Sequence, residues 1–162
     1  MMVMCPHCFE IFPELWVVPC HKCGTKTFAT DLSIVNIVKR LIELGFRIAY
    51  SCCYTDDNED GIGKTTQIKI EFSEKYPSAL FPELPPEWST YESYDIDTQR
   101  KYTGLQCICK HPPSECDDDV VNFDKMVTMT NFETWLGMKD PDAYKALLLL
   151  YGCGQKENLL DR

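Results

Sequence analysis

Leu32, Val35, Val38, Leu41 and Ile42 recur at three- and four-residue intervals, the period of a helix with one buried stripe. Thr30 or Asp31 can cap its start and Gly45 can end it, so the pattern predicts a helix over about 32–44. The pattern then changes. "FRIAYSCCY" (46–54) is rich in aromatic and β-favouring residues. In "TQIKIEF" (66–72), Ile68, Ile70 and Phe72 alternate with Gln67, Lys69 and Glu71. Alternation of that kind predicts a half-buried strand, and the two segments together predict a hairpin with a long loop. Residues 73–90 carry four prolines and read as a connection or an extended edge. Further strands are predicted at 91–97 and 104–111.

Helical spacing returns at 120–138, where Phe123, Met126, Val127, Phe132 and Trp135 mark the apolar positions. Asp140-Pro141 opens a last helix that runs towards Gly152 and Gly154. The tail "QKENLLDR" reads as frayed or loosely docked. These elements give an α+β class: a small N-terminal ribbon, then an antiparallel sheet of about three or four strands packed with about three helices. The boundary falls near Ala29-Thr30, with a ribbon at 1–29 and an α+β domain at 30–162.

Charge changes the picture of partners. The chain carries 25 acidic against 16 basic side chains, a formal net charge of −9. Nucleic-acid affinity comes largely from Lys and Arg on phosphates, so that class is disfavoured and a protein partner is favoured. A ribbon-borne nucleic-acid surface requires Lys22, Lys26, Lys39 and Arg40 on one face. No apolar run of 18 residues and no export signal is visible, which makes a cytoplasmic location without membrane contact the expectation.

The ten cysteines carry the chemistry. Cys5-Pro6-His7-Cys8 and Cys20-His21-Lys22-Cys23-Gly24 are two C-x2-C pairs. Each such turn points two sulfurs at one place, and two turns complete a tetrahedron around Zn²⁺. Iron is the alternative ion for four thiolates. Cys5, Cys8, Cys20 and Cys23 therefore form a candidate structural zinc site, closed to substrate because thiolates fill every position. A Cys-Pro-His-Cys redox pair requires a thioredoxin-like βαβ setting, which the surrounding pattern lacks. In this spacing, residues 1–28 resemble the zinc-ribbon class with rubredoxin-type knuckles. The stretch that follows, a helix and a strand ending in Ser51-Cys52-Cys53 with Phe81-Pro82-Glu83-Leu84-Pro85 further on, resembles a set of uncharacterised bacterial zinc-ribbon proteins. In that set a Ser-Gly and a His follow, where this chain has Tyr54-Thr55 and no His; Ser51-Cys52 after a strand is also similar to wybutosine-synthesis tRNA methyltransferases, a likeness that implies RNA as substrate, though the next Ser-Gly is lacking.

The 56–67 segment carries parts of two binding-loop motifs. "NEDGIGKTTQ" ends like a phosphate loop, but Asn58 stands where the first glycine belongs and a strand follows instead of a helix. Asp56, Asn58 and Asp60 before Gly61 begin like a calcium loop, but Gln67 stands where a bidentate Glu belongs. A solvated hairpin loop is the expectation. The remaining cysteines offer an enzymatic alternative: a second metal or reactive-thiol site built from Cys107, Cys109, His111 and Cys116 with Cys52 or Cys53, acting on RNA. The main expectation is a non-enzymatic interaction module with one structural zinc.

Overall fold

The computed structural model describes residues 1–153. The expectation for the 155–162 tail lies outside them. Ten regular elements follow in chain order: β1 (Met2–Met4), β2 (Ile11–Pro13), β3 (Phe28–Thr30), α1 (Val35–Glu43), β4 (Ile48–Asp57), β5 (Lys64–Phe72), β6 (Trp88–Asp95), β7 (Arg100–His111), α2 (Asp118–Gly137) and α3 (Pro141–Leu150).

All the strands belong to one seven-stranded sheet in the order β2-β1-β3-β4-β5-β7-β6. Every neighbouring pair is antiparallel except β3 with β4, which meet in parallel at Ala29 and Tyr50. The expected count of three or four strands is corrected to seven. The difference has a clear origin: three-residue strands β1, β2 and β3 of the ribbon join the edge of the larger sheet and are counted with it. A three-residue strand is too short to show a hydrophobic period.

α1 starts where the sequence indicates. The Asp31 carboxylate accepts from the Ser33 backbone N–H at 2.9 Å, and a 3₁₀ turn at Leu32–Ile34 leads into the helix. Ile37, Val38 and Leu41 form its buried stripe. These side chains meet Ile48, Ile68, Ile70, Phe72 and Leu105 from the sheet, together with Phe132, Trp135 and Leu136 of α2 and Leu148 of α3, in one core. Met4 and Phe28 of the ribbon enter the same core, so the ribbon is not separately packed. Hydroxyls join the two parts as well: Thr30 and Ser51 are buried and 2.8 Å apart.

Aromatic stacking anchors β6 to α2. Trp88 lies on Phe132 with ring centroids 4.0 Å apart and donates its indole N–H to the Thr128 carbonyl. Outward from the core, β4 presents Tyr50 and Tyr54 and β7 presents Ile108. Among the described residues no helix is long and apolar enough to cross a membrane.

The 58–63 segment forms the β4–β5 turn. Asn58 closes it with three bonds: its backbone N–H donates to Gly63 O, its side-chain amide donates to Ile62 O, and its amide oxygen accepts from the Thr65 hydroxyl. Gly63 has φ 80°, and a Cβ there would stand 2.5 Å from the His111 carbonyl oxygen. The Gly-Lys of the apparent phosphate loop is thus a close approach between the turn and the end of β7.

Candidate metal centre

Two backbone turns build the first cluster. In the first knuckle Phe9 N–H donates to Cys5 O and Cys5 N–H to Glu10 O. In the second, Gly24 N–H donates to Cys20 O and Cys20 N–H to Thr25 O. The His7 and Cys8 N–H groups point at the Cys5 sulfur, 3.4 and 3.5 Å away. Partial positive charge aimed at a sulfur is what a metal-bound thiolate requires.

Across the knuckles, Cys5 Sγ lies 3.5 Å from Cys23 Sγ, Cys8 Sγ 3.6 Å from Cys20 Sγ, and Cys23 Sγ 3.8 Å from Cys8 Sγ. Four sulfurs about 2.3 Å from a tetrahedral ion stand about 3.8 Å apart. The four thiols therefore fit one metal ion, and the sequence-derived ligand set Cys5, Cys8, Cys20 and Cys23 is the set that converges. No disulfide joins them. Their metal-free acidities diverge. Burial pushes Cys5 up to about 12, while the Thr25 hydroxyl and N–H beside exposed Cys23 pull it down to about 6.

The histidines of the pairs stay outside this cluster. His21 packs against Phe12 with its ring tilted by 34° and meets Glu14 at 3.1 Å. Of the four basic residues proposed for a nucleic-acid face, Lys22 pairs with Glu10, Lys39 lies over the Phe9 ring, and Arg40 binds Glu43 and the Lys139 carbonyl.

The second cysteine set is largely dispersed. A β-bulge between Ile48 and Tyr50 shifts the alternation of β4, so that Ser51 and Cys53 turn inward and Cys52 outward beside Tyr50. Cys53 and Cys107 share a register row through Ile68, two strand spacings or about 10 Å apart. Cys116 donates to the backbone carbonyls of Pro112 and His111. Burial pushes Cys107 up to about 12, which makes it a small hydrophobe at neutral pH.

Cys109 and His111 do come together, with a third residue that the sequence reading did not include. Asp124 of α2 brings Oδ2 to 3.0 Å from His111 Nδ1. One donor atom from each of Cys109, His111 and Asp124 lies within 4.8 Å of the others. On the far side of the ring, Nε2 meets the Thr66 hydroxyl at 2.8 Å, and Thr66 meets the Thr55 hydroxyl at 2.7 Å. Thr55 lines an open cleft of about 440 Å³ with Asp57, Lys64, Asp118 and Lys125. Burial, and then the carboxylate of Glu87, push the Cys109 thiol up to about 11. A reactive thiolate is therefore disfavoured there.

No protein-family model, curated protein or solved structure matches this chain. Of the resemblance to zinc-ribbon proteins, the structure supports the knuckle cluster of Cys5, Cys8, Cys20 and Cys23.

Proposed function

We propose that the protein is a non-enzymatic interaction module in which Cys5, Cys8, Cys20 and Cys23 hold one structural zinc ion, and that its partner is another protein. Four thiolates close the coordination sphere, so the ion supplies folding free energy and not a substrate position. Zinc is favoured over iron because a redox-inert ion suits a structural role.

The observation that carries this reading is the apolar tip that the ribbon displays. Between β2 and the second knuckle, Leu15, Trp16 and Val17 are 81%, 66% and 46% exposed. An exposed Trp between aliphatic neighbours has the composition of an interface anchor. Glu14–His21 and Glu10–Lys22 pairs stand nearby, in the manner of a polar rim. Three of the four candidate nucleic-acid bases are engaged within the protein, and the net charge of −9 opposes phosphate. Both facts favour protein over nucleic acid.

Comparative capture tests the proposal. Full-length protein and a Leu15→Ser/Trp16→Ala variant, each with its zinc content verified, are used as bait in extract of the native host. The account expects one protein retained in stoichiometric amount by the wild type and lost by the variant. Nuclease-sensitive capture, or equal capture by both baits, contradicts it.

A further inference from the structure

Cys109 and His111 lie two residues apart on β7 and point to the same side of the sheet, into the core corner where the first turns of α2 cross the strand end. Asp124 reaches them from α2. His111 is 1% exposed, Cys109 7%, and the Asp124 side chain 37%. The three donors are one sulfur, one nitrogen and one oxygen, drawn from two elements that the core holds rigidly together.

We propose that Cys109, His111 and Asp124 form a second metal site, separate from the ribbon, for a borderline divalent ion of the zinc type. Three arguments carry it. First, these donor atoms lie within 4.8 Å of one another, close enough to share one ion with small side-chain rotations. Second, the outer partners of His111 are those of a metal-bound imidazole. Its Nε2 is held by the Thr66 hydroxyl at 2.8 Å, and Thr66 by Thr55 at 2.7 Å. That chain fixes the ring and leaves Nδ1 facing Asp124. A ligating histidine normally has its other nitrogen fixed in this way. Third, thiol, imidazole and carboxylate are all zinc donors, and three protein ligands leave one position of a tetrahedron open.

Without the ion, a proton holds His111 Nδ1 and Asp124 Oδ2 at 3.0 Å. On binding at Nδ1, the ring proton shifts to Nε2, where the Thr66 hydroxyl accepts it, and the ion displaces the thiol proton of Cys109, which leaves to solvent. With three protein ligands the site differs from the ribbon cluster, where four sulfurs complete the sphere. The proposal stands apart from the ribbon's role: either metal site can exist without the other.

Cobalt substitution tests it on the full-length protein, exchanged under reducing conditions. The wild type is expected to take up two Co²⁺ per chain at saturation, with sulfur-to-cobalt absorption from both sites. Cys109→Ser and Asp124→Asn should each lose the second equivalent and keep the tetrathiolate spectrum of the ribbon. Asp124→Asn retains a hydrogen-bonding group on a half-exposed side chain, so it keeps the test valid if the buried serine disturbs folding. Saturation at one Co²⁺ per wild-type chain overturns the proposal. So does a second equivalent that survives Asp124→Asn in the folded protein.

Discussion

Phe9 and Gly24 occupy the same place in the two knuckles, each one residue past the second cysteine of its pair, and both have a left-handed backbone, with φ of 60° and 75°. Glycine adopts that conformation freely, whereas an L side chain is strained there. In the first knuckle the ring offsets the strain, since Phe9 packs against the core and carries Lys39 above it at 5.1 Å.

The prediction for the second knuckle is specific. A Cβ at Gly24 meets nothing within 4 Å, so Gly24→Ala changes only backbone strain. It should cost about 1–2 kcal/mol of ribbon stability, and Gly24→Asn should cost less because Asn tolerates this region. Competition against a chelator of known zinc affinity reads the difference as weaker retention of the ion in the order Gly, Asn, Ala.

A second relationship lies on the outer face of the sheet. Tyr91 of β6 lies over Gly104 of β7 and donates its hydroxyl to Glu71 at 3.2 Å. A Cβ at Gly104 would stand 2.2 Å from the Tyr91 ring. Gly104→Ala is therefore expected to destabilise the protein by about 1–3 kcal/mol through overpacking. In Tyr91→Ala the same change should cost far less. Urea denaturation of the four members of this cycle measures the coupling; equal costs in both backgrounds would show that the ring does not confine position 104.

Alkaline pH should weaken the fold. Burial pushes Cys107 from 9.0 to about 12 and holds Tyr76 well above its ordinary 10.0. Below pH 9 both groups are protonated in the folded and unfolded chains, and their full contribution is present. Above it the unfolded chain ionises first, so stability falls until the folded groups also ionise. Each fully buried group removes about 1.4 kcal/mol per pH unit across that interval. Thermal unfolding followed from pH 8 to pH 11 should show a Tm that declines from about pH 9 onward, and Cys107→Ala should flatten the onset.

Local periodicity made α1 and β5 legible, because each buries one stripe or one alternate set of side chains; the Asp140-Pro141 start made α3 legible, and residue type gave the strand character of residues 48–54. The four converging cysteines were legible for another reason: a C-x2-C pair encodes its own geometry. What lay hidden depends on distant contacts. β3 joins the main sheet at Ala29 and Tyr50, and β1 and β2 follow it in order. The bulge at Ile48/Tyr50 decides that Cys53 and not Cys52 faces inward, and nothing in "AYSCCY" marks it. No spacing in the sequence singles out Asp124, and only the crossing of α2 over β7 brings it to His111. The spacing of Cys109 and His111 was the available signal; Asp124 is thirteen residues beyond His111, on another element.

Hydrogen exchange with and without zinc tests the central claim most directly. The ribbon has three short strands, and the structural role proposed for the ion predicts that the order of the ribbon depends on it. After verified metal removal, amides of residues 2–28 should exchange rapidly, while those of β4, β5 and β7 keep their protection. Returning zinc should restore the ribbon's protection. If residues 2–28 stay fully protected in metal-free protein, the structural role assigned to Cys5, Cys8, Cys20 and Cys23 is wrong.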